Sequence, residues 1–183
     1  MTEIYDFVLN TNLHEINLLS ISVRLFLALI CGGVIGLNRA MNKRPAGFRT
    51  HILVCLGATL VMLTNQYMVD ILELSTDPAR LGAQVVTGVG FLGAGTILLR
   101  GGGHKVEGLT TAAGLWVCAC IGLALGIGFY SAAIITTLLV FLSLTVFMKF
   151  AENIYKPFNK DAYEAYKEEH DGHPSNKGKD DII

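Results

Sequence analysis

One stretch, Asp77–Leu99 (DPARLGAQVVTGVGFLGAGTILL), constrains the fold more than any other. It opens on Asp77, Arg80 and Gln84, then runs apolar to Leu99, and it carries Gly82, Gly88, Gly90, Gly93 and Gly95 on the way. In water each of those glycines would cost a helix about 1 kcal/mol relative to alanine. A bilayer reverses the argument, because hydrocarbon tolerates no unpaired backbone group and glycines become flat places where another helix comes close. The run therefore reads as a membrane helix surrounded by other helices. Asp77 followed by Pro78 reads as its start: the carboxylate can cap the first free N–H groups, and the missing N–H of proline costs nothing at the first helical position. Counting on by three and four places Arg80, Gln84 and Thr87 on one stripe that leads to Phe91 and Gly95. That stripe is expected to face protein or water and not lipid.

Composition supports the same class. Of 183 residues, 52% are hydrophobic and 16% charged, too few charges for the surface of an ordinary soluble domain. The charges are also segregated, since 12 of the 14 lysines and arginines fall in three polar segments, 38–50, 100–108 and 149–183. The first 15 residues hold Glu3, Asp6 and Glu15 and no base, the wrong sign for a cleavable signal peptide, so the first apolar helix is expected to do the targeting. Cys31, Cys55, Cys118 and Cys120 all lie in apolar segments without a disulfide spacing and read as small packing residues.

Taken in order, residues 1–15 form an acidic extracytoplasmic segment with the composition of a short surface helix. Five spans follow between 16 and 148: Ile16–Leu37, His51–Val69, Asp77–Leu99, Leu109–Ile127 and Tyr130–Met148. Each is about long enough to cross the hydrocarbon at 1.5 Å per residue. Arg24 interrupts the first; it either snorkels to the interface or finds a buried partner, since an arginine at mid-depth costs about 2.5–3.5 kcal/mol. Ala28, Gly32 and Gly36 in the first span, and Gly122 and Gly126 in the fourth, make small-residue faces for close helix packing. The fifth has few small residues and reads as lipid-facing. Arg39, Lys43, Arg44 and Arg49 lie between the first two spans without an acid, which places that loop in the cytoplasm; they either mark topology and touch anionic headgroups, or some of them hold the helix ends together or bind a phosphate-bearing or protein partner. Asp70 and Glu73 mark the opposite side, and Arg100 and Lys105 return to the cytoplasm in a glycine-rich loop. The expected fold is an all-α integral membrane protein of five transmembrane helices, N-terminus outside and C-terminus cytoplasmic. Residues 149–183 form a polar tail.

Familiar chemical signatures do not fit. Gly88-x-Gly90-x-x-Gly93 has the letters of a dinucleotide fingerprint but sits at mid-membrane without the strand that motif requires. His170 and His173 are two histidines in a polar tail and read as solvated, and no nucleophile–base arrangement at membrane depth or HExxH run is present. No enzymatic activity, nucleic-acid partner or resident cofactor is expected. What remains is a set of polar residues at helix ends and first turns: Arg24, Asn38, Arg39, Asp77, Arg80, Gln84, Thr87, Thr110 and Thr111. Polar groups in a span are functional candidates because their desolvation needs a compensating partner. Asp77 and Arg80, three apart, read as a local ion pair or as part of an ion route, with Asp77 the one candidate metal contact.

Four runs in order, GLNRA from Gly36, RPAGFRTHILVCLGATL from Arg44, DPARLGAQVVTGVGFLGAGTI from Asp77 and VEGLTTAAGLWVCACIGLALGIG from Val106, resemble the MgtC/SapB family of bacterial inner-membrane proteins. The resemblance covers residues 18–148. It implies a five-helix membrane domain and a role connected with magnesium limitation, with Mg2+ as a transported or sensed ion. It also implies that some members regulate membrane partners, including the F-type ATP synthase. Where the family's GLER-type run has an acid before its arginine, this chain has Asn38 before Arg39, which weakens a cation-binding role there. The 35 residues from Lys149 are too few for the soluble C-terminal domain of the longer members, so the chain resembles the short form.

Two functions stay open at this level. One is a small transporter or channel in magnesium or other ion homeostasis, with Asp77, Arg80, Gln84 and Asn38 near the route. The other is a non-transporting regulator whose glycine faces bind another membrane protein. Five helices are few to enclose a route, and the remaining glycine faces point to a homodimer.

Overall fold

The computed structural model describes residues 15–75, 77–100 and 105–147. Within them lie five helices: α1 (Leu18–Met41), α2 (Phe48–Asp70), α3 (Arg80–Thr96), α4 (Leu109–Gly126) and α5 (Tyr130–Leu142). A short antiparallel hairpin, β1 (Leu98–Arg100) and β2 (Lys105–Glu107), joins α3 to α4. The chain divides into two compact units, Met1–Phe141 and Leu142–Ile183. In the second, a π-helical turn spans Ser143–Phe147. The expected surface segment before Glu15 and the polar tail lie outside the described residues.

α1, α2 and α4 are long and apolar enough to cross a membrane. α3, at 17 residues, and the apolar run Tyr130–Val146 sit at the short end of the range for a span. Large apolar side chains cover the outside, Leu18 and Phe91 being more than four-fifths exposed. A soluble monomer does not present such a surface. Its solvent is lipid, and the chain is a multi-pass membrane protein.

α2 is the centre of the packing, with α1 on one side and α4 on another. Glycine explains the closeness. A Cβ on Gly32 would stand 2.9 Å from the His51 carbonyl, and one on Gly36 would stand 2.8 Å from that of Phe48. On α4, a Cβ on Gly122 would collide with the Cys55 carbonyl, and one on Gly126 would meet the Thr59 carbonyl at 2.7 Å. The fully buried Thr59 hydroxyl fastens the second seam, 2.9 Å from both the Cys55 and Gly122 carbonyls.

The glycine-rich stretch is not central within the chain, and this corrects the sequence reading. α3 buries only Val89 and Gly93; Gly93 packs on Ala112, and Gly82 approaches the Met62 sulfur. Nothing in the chain lies within 4 Å of a Cβ built on Gly88, Gly90 or Gly95. Glycine count records how near a helix can be approached, and only glycines in register with a facing helix are approached.

Boundaries differ as well. α1 runs four residues past Leu37, to Met41, and α2 starts at Phe48, three before His51. α1 begins behind Asn17, whose side chain accepts the Ser20 N–H at 2.7 Å. Asp77 does not open α3: its carboxylate accepts the Ala79 N–H at 2.9 Å in a turn, and the helix starts at Arg80. Because Asp77 is outside the helix, helical spacing does not bring it to Arg80, and the two form no ion pair. The expected loop after Leu99 is the β-hairpin. Gly108, at φ +94°, turns that hairpin into α4 so close to α3 that a Cβ there would collide with the Thr96 carbonyl.

Candidate functional site

α1 carries two arginines 15 residues apart, about 22 Å along the axis. Both are buried, Arg24 completely and Arg39 to 4% exposure, and each stitches α1 to other helices.

At one end, Arg24 Nη1 donates to Gln66 Oε1 at 2.6 Å and to the Gly126 carbonyl at 2.7 Å, while Nε donates to Tyr130 Oη at 3.2 Å. One guanidinium thus ties α1 to α2, α4 and α5. Gly126 ends α4, where the last carbonyls have no helical donor and the macrodipole is negative, so a cation is doubly suited to the position. Of the two readings of Arg24, the geometry supports the buried partner.

At the other end, Arg39 Nη2 donates to Thr111 Oγ1 in the first turn of α4 at 2.6 Å. Its Nε is buried without a hydrogen-bond partner, and no carboxylate pairs with it among the described residues. His51 is fully buried beside the α1 seam; its Nδ1 lies 2.8 Å from the Gly47 carbonyl, and its Nε2 has no partner and faces Gly114. Asn38 is buried too, its carbonyl accepting Asn42 Nδ2 at 2.8 Å. This end is electropositive. Arg39 sits at the first turn of α4, the positive end of that helix dipole, with neutral oxygen as its hydrogen-bond acceptor.

The nine polar residues singled out from the sequence therefore divide. Arg24, Asn38, Arg39 and Thr111 are buried in the α1–α2–α4 core, at its two ends. Asp77, Arg80, Gln84, Thr87 and Thr110 are exposed within the chain. The Thr87 hydroxyl is bonded to the Ala83 carbonyl of its own helix at 3.1 Å. The structure does not bring Asp77 to Arg24 or Arg39.

Sequence reasoning passed over Gln66, Tyr130, Thr59 and His51, all of which bond or pack in the core. Asn65 was missed as well; its Nδ2 donates to the Pro78 carbonyl at 2.6 Å and holds the turn before α3. The polar run Thr64, Asn65 and Gln66 in an otherwise apolar helix was the available signal.

The chemistry of the core follows from its charges. At an effective dielectric near 20, a divalent cation about 5 Å from a guanidinium is opposed by roughly 6–7 kcal/mol. Two such groups stand at the two ends of the α1–α2–α4 core. The core can hold helices together and attract negative charge.

Residues 25–153 match the model of the MgtC family. The chain is 46% identical over 129 residues to the Escherichia coli protein named "Putative magnesium transporter YhiD", a match covering 68% of this chain and 59% of that one. It is 38% identical over 128 residues to protein SapB of Bacillus subtilis, covering 68% and 55% respectively. With protein MgtC of Salmonella typhi it shares 36% over 146 residues, covering 79% and 60%. The chain thus spans little more than half the length of these relatives. No solved structure matches it.

Proposed function

The chain belongs to the MgtC family, and from that premise we propose that it serves magnesium or other ion homeostasis as a regulator of the bacterial inner membrane. It acts by docking through α3, and it has neither an enzymatic reaction nor an ion route through its own core. The observation that carries this reading is the contrast between the two glycine surfaces. Gly32, Gly36, Gly122 and Gly126 are consumed by contacts within the chain, whereas Gly90 and Gly95, with Phe91 82% exposed between them, are left open on α3. A second copy or another membrane protein fits that face, which gives a homodimer or a partner complex.

The charge pattern supports five spans with the N-terminus outside and the C-terminus in the cytoplasm. Arg39, Lys43, Arg44 and Arg49 lie at the end where α1 stops and α2 starts. The Arg39–Thr111 bond brings the start of α4 to that same end.

The test uses the open face alone. Gly90→Leu and Gly95→Leu add bulk where the chain has room, so folding and membrane abundance are expected to be unchanged. Growth of a deletion strain at limiting magnesium is expected to be lost with either variant. Full complementation by both would contradict docking through this face.

Transport is a second reading, favoured by the name of the E. coli relative and by Arg80, Gln84 and Thr87 on the exposed surface of α3. Magnesium would then be the substrate, and its route would run between copies and not inside one.

A further inference from the structure

A groove of about 510 Å3 lies between α2 and α3. Arg49 and Thr50 line one end, Gly57 and Ala58 the α2 wall, and Val85 and Leu92 the α3 wall. Its floor is the apolar core around Ala58 and Val89. From Arg49 to Ala58 the groove follows α2 for about 13 Å. The walls along this length are apolar, and small at Gly57, Ala58 and Gly88, which suits an alkyl chain.

The Arg49 end is chemically distinct. The Arg49 side chain is exposed, in the first turn of α2, and makes no hydrogen bond or ion pair among the described residues. That turn has no acid, and its N-cap, Gly47, has no side chain to cover the free N–H groups. Lys43 and Arg44 lie in the same connection, and residues 38–50 contain no acid at all. Positive charge beside a helix N-terminus suits a phosphate, and the two further bases select a net negative headgroup over a zwitterionic one.

We propose that the α2–α3 groove binds one anionic phospholipid, an acyl chain along Gly57 and Ala58 and the phosphate at Arg49 and the open start of α2. The apolar walls match an acyl chain, and the positive charge at one end matches an anionic headgroup. Neither Gly90 nor Gly95 lines the groove, and Arg49 and Gly57 lie on α2, so variants at these two test the lipid site without altering α3.

Native mass spectrometry of the full chain in detergent tests it, with phosphatidylglycerol and phosphatidylcholine of identical acyl chains as probes. Phosphatidylglycerol is expected to remain bound under conditions that strip phosphatidylcholine. Arg49→Gln is expected to weaken phosphatidylglycerol about tenfold and to leave phosphatidylcholine unchanged. Gly57→Leu, at a position with open space for its side chain, is expected to weaken both lipids by filling the groove. Equal retention of the two lipids by the parent chain, or phosphatidylglycerol binding untouched by both variants, would overturn the proposal. So would complete competition by inorganic phosphate with no effect of Gly57→Leu, which marks a free-anion site, or a dimer that Gly57→Leu dissociates while lipid binding persists.

Discussion

Arg39 in the last turn of α1 and Thr111 in the first turn of α4 share a 2.6 Å hydrogen bond across 72 positions of sequence. The guanidinium is buried and Thr111 is its hydrogen-bond acceptor, so removing the hydroxyl strands a charged donor. Thr111→Val is expected to cost about 1.5–3 kcal/mol, whereas Thr111→Ser, which keeps the oxygen, is expected to cost much less. Thermal unfolding of the purified variants in one detergent measures the difference.

The Arg24 end gives a ranking. Gln66→Leu removes a 2.6 Å bond to a buried guanidinium, and Tyr130→Phe removes one of 3.2 Å. The first is expected to lose about 1.5–3 kcal/mol and the second about 1 kcal/mol or less. Reversal of that order in the same unfolding assay would mean that Tyr130, and not Gln66, anchors this end.

Glycines of one chain are expected to answer alanine in opposite ways. At Gly36, Gly122 and Gly126 the new methyl meets backbone or Cβ atoms of α2, and overpacking of this kind costs about 1–3 kcal/mol or more. At Gly90 and Gly95 it meets nothing in the chain, and the helix gains up to about 1 kcal/mol. Loss of stability from Gly95→Ala in dilute detergent would show that α3 is already covered there.

Much of this arrangement was legible in the sequence, for a physical reason. Small residues four apart, as at Gly32 and Gly36 or Gly122 and Gly126, have few uses in a span except close approach, and Arg24 in hydrocarbon needs a partner. Periodicity could not say which partner. Gln66 is 42 residues away and Tyr130 is 106, and only the packing of four helices brings them to one guanidinium. The central position given to the Asp77 stretch failed because glycine at 88, 90 and 95 creates room for contact without supplying the contact. The hairpin at Leu98–Glu107 was hidden behind glycines that read as a loop, and its pairing depends on where α3 stops.

Gly108 tests that junction. Its φ of +94° lies in the left-handed region, and a Cβ there would overlap the Thr96 carbonyl. Gly108→Ala therefore combines backbone strain of about 1–3 kcal/mol with a displaced α3–α4 junction. Marked destabilisation is expected, seen as lower membrane abundance and an earlier unfolding transition. Gly57→Ala, on an open helix face, is the control expected to lower neither.

A core whose buried arginines fasten helices opposes cations. Magnesium influx into sealed vesicles reconstituted with this chain alone, under an imposed gradient, is the direct measurement. A rate equal to that of protein-free vesicles, unchanged by Asp77→Asn, is expected. A rate well above that background, abolished by Asp77→Asn in a protein that still folds, would contradict that expectation.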